Sequence, residues 1–366
     1  MEFPQELPPP PPPTQVPVPI VVPQEGISVP WEYQPHWDPV EQKRKSMTER
    51  VAWVKRISKR FGALCSLSLF AYLAVAVVVF LMMGPEIMRQ LFGTHDYLFV
   101  ITPAIVPILR IDGAVLVGVF ALEAMAITAS YFYIAGSSAL PTFREMMIGK
   151  PGKHSTMLTI GGLFFLSYLV IFVSYLLVDM AGVTPNVPDI GSEPIWAQMY
   201  SSASATVWEE LISRVLLIGV PLLWIDLIFR RRSLLKTRKY FLGGANRFGT
   251  VEVGLVLFSA AMFAAGHVWN WDIYKVIPTT IGGLCFGYLF LKIGLHASII
   301  FHVCFNFLSF PMLFSSPFQS ALVDLMILFV WMPAGVIFFV YYLLRIKKFL
   351  QGATEKNEGA ERPTVG

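Results

Sequence analysis

The sequence predicts an all-α, polytopic membrane protein, a bundle of about eight transmembrane helices. Three observations carry that prediction. Of the 366 residues 55% are hydrophobic and only 14% charged, where soluble domains carry roughly 25% charged residues. Mean hydropathy is +0.60. The apolar residues fall in blocks of about 18 to 24, which at 1.5 Å per residue cross a hydrocarbon core roughly 30 Å thick. A membrane β-barrel would alternate in stretches of about 10 residues, whereas these blocks are continuously apolar.

The elements follow in chain order. Residues 1–45 read as a disordered, proline-rich arm: positions 1 to 40 hold 13 of the 27 prolines, Pro8 to Pro13 in one run, and no Lys or Arg. That composition favours extended polyproline II chain; a PxxP-type docking arm is the alternative to a plain solvated tail. It is not a signal peptide, because it lacks a basic start and an apolar h-region, and the basic stretch Lys43 to Arg60 comes only afterwards. Residues 46–196 hold the N-terminal spans, at roughly 62–83, 113–135 and 156–178. The stretch 97–109 is apolar but short and contains Pro103 and Pro107, which predicts a re-entrant or interfacial segment rather than a crossing.

The region 197–314 opens with a block, 197–229, longer than a membrane needs, so it tilts or begins as an interfacial helix around Trp196 to Tyr200. Spans at roughly 250–269, 276–292 and 295–314 complete the region. Gly283 and Gly287 make a small-xxx-small pair, a helix-packing signal. A last span, 321–344, lies in 315–350, and 351–366 reads as a disordered tail.

Lys and Arg set the orientation. With the amino terminus inside, 24 of the 28 basic residues fall on inside segments, and only Arg89, Arg110 and Lys275 on outside loops, Arg214 lying within a span. The positive-inside rule then gives eight crossings of a cell membrane with both termini cytoplasmic. Cys65, Cys285 and Cys304 all lie in apolar blocks without paired spacing, so neither a disulfide framework nor a thiolate metal site is expected. The net charge of +4 is modest, no glycine-rich phosphate loop or inverted repeat is visible, and nucleic acid is not implied.

Ionisable groups deep in a bilayer cost several kcal/mol each, so they turn inward and mark function by default. This chain concentrates them in three spans, as Glu209, Glu210 and Arg214, then Phe263 and His267, then His302 and Asn306. Glu210 and Arg214 stand one helical turn apart and can pair, while Glu209 is rotated about 100° and can face another group. His302 and Asn306 share a face, as do Phe263 and His267. A carboxylate, two imidazoles and an amide on three helices suit hydrolysis: a general base for water, a proton donor for the leaving amine, and N–H donors for an oxyanion. Two His and a carboxylate also match a catalytic zinc shell, with His267 and His302 as ligands, although the spacing is not His-Glu-x-x-His.

The pattern Glu-Glu-x-x-x-Arg, Phe-x-x-x-His and His-x-x-x-Asn, each on a separate late helix, resembles the CPBP family of intramembrane proteases. That family includes the CAAX prenyl-protein endopeptidases of the Ras-converting type and bacterial relatives linked to bacteriocin processing or self-immunity. The resemblance covers about 197–314, including the run from Gly294 to His302. It implies an endopeptidase acting on a membrane-associated protein or peptide, with Glu209 activating water and Glu210 and Arg214 supporting it. It also implies His267 and His302 on the water, the proton path or a divalent metal such as zinc, and Asn306 on the oxyanion. Ser213 and Val215 stand where the family commonly has Phe and Gly beside the arginine, a departure that bears on packing and substrate fit. Two other readings use the same residues: a transporter or proton relay, and a non-catalytic immunity or scaffold protein on the same fold. The relay expects broken helices or a repeat, and the scaffold an eroded motif.

Overall fold

The computed structural model describes residues 39–101, 103–148, 155–231 and 234–360. Most of the expected arm and the end of the expected tail therefore lie outside the described residues. The chain divides into a segment Met1–Ser46 and a body Met47–Gly366 in which the apolar helices pack.

Helix α1 (Pro39–Leu91) enters the bundle and is followed by the strands β1 (His95–Ile101) and β2 (Ile105–Asp112), an antiparallel hairpin with a register irregularity between Leu98 and Phe99. The stretch expected to re-enter or lie in the interface is thus a hairpin. Its β-branched and aromatic residues suit a pleated surface, and Pro107 in a two-stranded ribbon is tolerated where it would break a helix.

Helix α2 (Gly113–Ile134) continues through a π-helical turn into α3 (Leu140–Met147), and α4 (Thr156–Met180) is capped by Ser155, whose Oγ accepts from the Leu158 amide at 3.2 Å. The long fourth block is α5 (Ile195–Glu210), a π-helical stretch Leu211–Gly219 and α6 (Val220–Phe229). After the short α7 (Arg238–Phe241) come α8 (Thr250–Trp271), α9 (Val276–Lys292), α10 (Leu295–Asn306), α11 (Pro317–Met326) and α12 (Met332–Ala360). The last helix runs ten residues past the boundary expected at 350.

Seven of the described helical stretches are long and apolar enough to cross a membrane. The eighth expected span, 295–314, splits into α10 and a 3₁₀ turn, Phe310–Phe314. At 12 residues α10 is about 18 Å long, short of a bilayer core. Its residues from Ala297 to Cys304 are all buried, and it packs on α2, α4, α5 and α9. A helix enclosed by other helices has no lipid thickness to match.

Close approach is written into α8 and α9. A Cβ added to Gly283 would lie 2.8 Å from the Ala260 Cα, and one on Gly287 2.8 Å from Val256 Cγ1, so the small-xxx-small pair is where the two helices touch. At the basic end of the bundle Arg247 pairs with Asp226 at 2.6 Å and Glu252 at 2.5 Å, and Arg230 with Glu252 at 2.8 Å. These pairs tie the loop after α7 to the end of α6 and the start of α8.

Candidate active site

Glu209 and Glu210 are the last residues of α5, and the π-helical stretch that follows carries Arg214. π-Helical turns inside α-helices occur frequently at functional sites; here the widened turn keeps the Arg214 Nε 3.2 Å from Glu210 Oε2. Both side chains are fully buried. Arg214 Nη1 donates to Ser259 Oγ at 2.7 Å, Ser259 donates onward to the Ser213 carbonyl at 2.5 Å, and the guanidinium lies 5.4 and 5.1 Å from the ring centroids of Phe263 and Phe286. The carboxylate and cation neutralise one another, and the rings cover what remains of the charge.

Glu210 also faces α10. Ser298 Oγ donates to Glu210 Oε2, and His302 Nδ1 lies 3.2 Å from Glu210 Oε1. A carboxylate only accepts when ionised, so the Nδ1 proton belongs to the imidazole and the neutral ring carries its lone pair at Nε2. That Nε2 lies 3.8 Å from Glu209 Oε2, too far for a direct hydrogen bond. His302 therefore stands between two carboxylates, one that orients it and one that it faces across a gap. His267 is fixed by the same logic: its Nδ1 lies 2.8 Å from the Phe263 carbonyl oxygen, again leaving Nε2 as the lone-pair nitrogen.

Two of the three motif helices, α8 with Phe263 and His267 and α10 with His302 and Asn306, line one cavity of about 140 Å³ together with Lys275 and Tyr175, among others; no α5 residue is among its described lining. Glu209 stands behind His302, its Oε2 3.8 Å from the Nε2 of this lining residue. Asn306, on which the resemblance puts oxyanion duty, turns both Nδ2 hydrogens toward α5, at 3.3 Å from the Ser202 carbonyl and 3.1 Å from Thr206 Oγ1. It ties α10 to α5. Lys275, an outside-loop residue by the count of basic residues, lines this cavity, with its Nζ 3.9 Å from the Trp271 ring centroid. Ser259 and Ser298 also escaped the sequence reading, since isolated serines in apolar helices carry no spacing signal.

The hairpin leans on these helices. Trp208, next to Glu209, donates its indole N–H to the Phe99 carbonyl at 2.9 Å, Trp269 donates to the Pro103 carbonyl at 3.1 Å, and Tyr200 donates to Asp96 at 2.5 Å.

A zinc shell of two histidines and a carboxylate was one expectation. Among the described residues no three His, Cys, Asp or Glu side chains are grouped so as to hold a metal ion. The orientation of the imidazoles suits ligation, with a carboxylate or carbonyl behind each, but the donor set falls short of the three protein ligands of a catalytic zinc.

Residues 191–308 match the family of Rce1-like type II CAAX prenyl endopeptidases. The match takes in all three motifs, and over this region the resemblance read from them holds. No curated protein and no solved structure matches the chain. With seven membrane-length helices and a region matching a membrane peptidase family, the chain is an integral, multi-pass membrane protein.

Proposed function

From a region that matches a CAAX-type endopeptidase family, we propose that this protein is an intramembrane endopeptidase hydrolysing a peptide bond of a membrane-associated protein or peptide, with CAAX-type or related processing as its substrate class. The observation that carries the proposal is His302 between two carboxylates, Nδ1 on Glu210 and Nε2 facing Glu209, lining a cavity together with His267 and Lys275.

Glu209 takes a proton from water as the water oxygen adds to the scissile carbonyl carbon. His302, held by Glu210, accepts a hydrogen bond from the same water at Nε2 and fixes its approach. The negative charge that develops on the carbonyl oxygen is offset by the Lys275 ammonium, the cation in the described lining. When the tetrahedral species collapses, the carbon–nitrogen bond breaks and Glu209 returns its proton to the leaving amine. Arg214 is the counter-charge of Glu210, and Asn306 sets the position of His302 through its hold on α5.

The test is peptide cleavage by purified protein, wild type beside Glu209→Gln. This exchange keeps shape and removes the base, and loss of a general base is worth about 10²- to 10⁴-fold in rate. Near wild-type cleavage by Glu209→Gln overturns the mechanism and favours the relay or scaffold reading. Cleavage that persists in a strong chelator goes with protein groups alone. Cleavage and bound metal lost together on chelation, and on His267→Ala or His302→Ala, would assign the histidines to a metal.

A further inference from the structure

At the opposite end of the bundle lies a larger cavity, about 480 Å³, on which three cations converge: Lys59 from α1, Lys292 from the end of α9 and Arg345 from α12. Cavities of about 300–1,000 Å³ hold small-molecule ligands, so the space suffices for one. No Asp or Glu is among its described lining residues, and among the described residues no carboxylate forms an ion pair with any of the three cations. Three like charges around one space repel, and they are stabilised by an anion that neutralises them.

The remaining lining suits an oxyanion with an apolar attachment. Ser155, Thr156 and Thr159, at the start of α4, add hydroxyls and the positive end of a 25-residue helix, where anions are favoured. Leu158 and Phe338, both buried, form an apolar side. Lys292 is steadied by Tyr288, with its Nζ 2.5 Å from the hydroxyl. The two cavities share α4 and α9 but occupy their opposite ends: the catalytic one reaches Tyr175 and Thr279, this one Thr156 and Lys292. Along α9 that separation is about 20 Å.

We propose that this cavity binds a phosphate monoester or diester of net negative charge, with Lys59, Lys292 and Arg345 neutralising the phosphate oxygens and the Ser155 and Thr156 hydroxyls donating to them. The phosphate of an anionic phospholipid headgroup and free inorganic phosphate share this chemistry. Basic pockets between transmembrane helices bind such headgroups.

The experiment uses the full chain in neutral detergent, titrated with phosphatidylglycerol, with phosphatidylcholine, or with inorganic phosphate, and reads the thermal unfolding midpoint. Phosphatidylglycerol is expected to raise the midpoint and phosphatidylcholine to leave it unchanged. An equal rise with inorganic phosphate assigns the free anion as the source, and a rise with phosphatidylglycerol alone assigns the lipid. Arg345→Gln and Lys292→Gln should each weaken the response by about tenfold or more, the loss of one charge-assisted hydrogen bond, while Lys292→Arg retains it. Native mass spectrometry of the wild type in an equimolar mixture of the two lipids gives a second measure that needs no variant, with phosphatidylglycerol expected to remain bound. A wild type that responds to neither anion, or that keeps both lipids equally, overturns the site; so does an Arg345→Gln variant that responds like the wild type.

Discussion

Glu210 and Arg214 are the residues on which the energetics of the candidate site turn, because each is fully buried and each is the other's counter-charge. Removing one member of such a pair leaves the other charge buried and unpaired, at a cost of about 3–5 kcal/mol. Arg214→Leu is therefore expected to lower the thermal midpoint in detergent sharply, and Glu210→Gln combined with Arg214→Leu to recover part of the loss; equal midpoints for single and double variants would mean that the two do not interact. Ser298→Ala makes a subtler expectation. It removes a donor to Glu210 without adding a charge, so stability should fall by about 1–3 kcal/mol, and cleavage should fall further than stability explains, because Glu210 then orients His302 less firmly. At this scale the sequence is legible where a side chain is out of place for its surroundings. Glu209, Glu210, Arg214, His267 and His302 stand out as ionisable groups in apolar runs. Ser259 and Ser298 do not, since a serine is at home in a membrane helix, and Lys275 hides because a lysine between two spans is ordinary.

Between elements, the contact of α8 with α9 and the hairpin's hold on α5 decide how accurately the motif residues meet. Gly283 lies against the Ala260 backbone, so Gly283→Val cannot be absorbed by a rotamer change and must push α9 away from α8. Overpacking of this kind costs about 1–3 kcal/mol, and the variant should lose activity as well as stability, since Phe263 and His267 ride on α8 and Phe286 on α9. Trp208→Phe removes the indole donor and leaves the Phe99 carbonyl without that partner; faster amide exchange over residues 95–112, with α5 unchanged, is the expected result. Unchanged exchange would show that the hairpin is held by its own ladder. The Gly283 and Gly287 pair could be read from spacing because a helix repeats its faces every 3.6 residues. The hairpin could not: a short apolar run is compatible with strand, helix or re-entrant loop, and only its tryptophan and tyrosine partners, distant in sequence, select the strand pair. The split of 295–314 into a short helix and a turn was illegible for a similar reason, since hydropathy records apolar length and not whether lipid or protein surrounds it.

The whole molecule carries a polarity that the basic residues foreshadow. Lys59, early in α1, and Arg345, late in α12, line one cavity, so the chain leaves the bundle at the end by which it entered. Short as it is, α10 runs between the same two ends as its neighbours: the Leu295 amide donates to the Leu242 carbonyl in the basic loop, while Asn306 reaches Ser202 near the start of α5. On the orientation we propose from the positive-inside rule, the end with Lys59, Lys292 and Arg345 faces the cytoplasm and the candidate cavity, with Lys275 and His267, faces the other side. Single cysteines at Thr237 and Tyr274 test this arrangement directly. The three native cysteines are buried and should remain silent to a membrane-impermeant thiol reagent. In intact cells Tyr274→Cys is expected to label and Thr237→Cys to label only after permeabilisation. The reverse pattern would put the catalytic cavity on the cytoplasmic side, within reach of a lipidated cytoplasmic protein. The expected pattern instead favours substrates that meet the enzyme from the outer half of the bilayer, and it narrows the search for them to peptides exposed on that face.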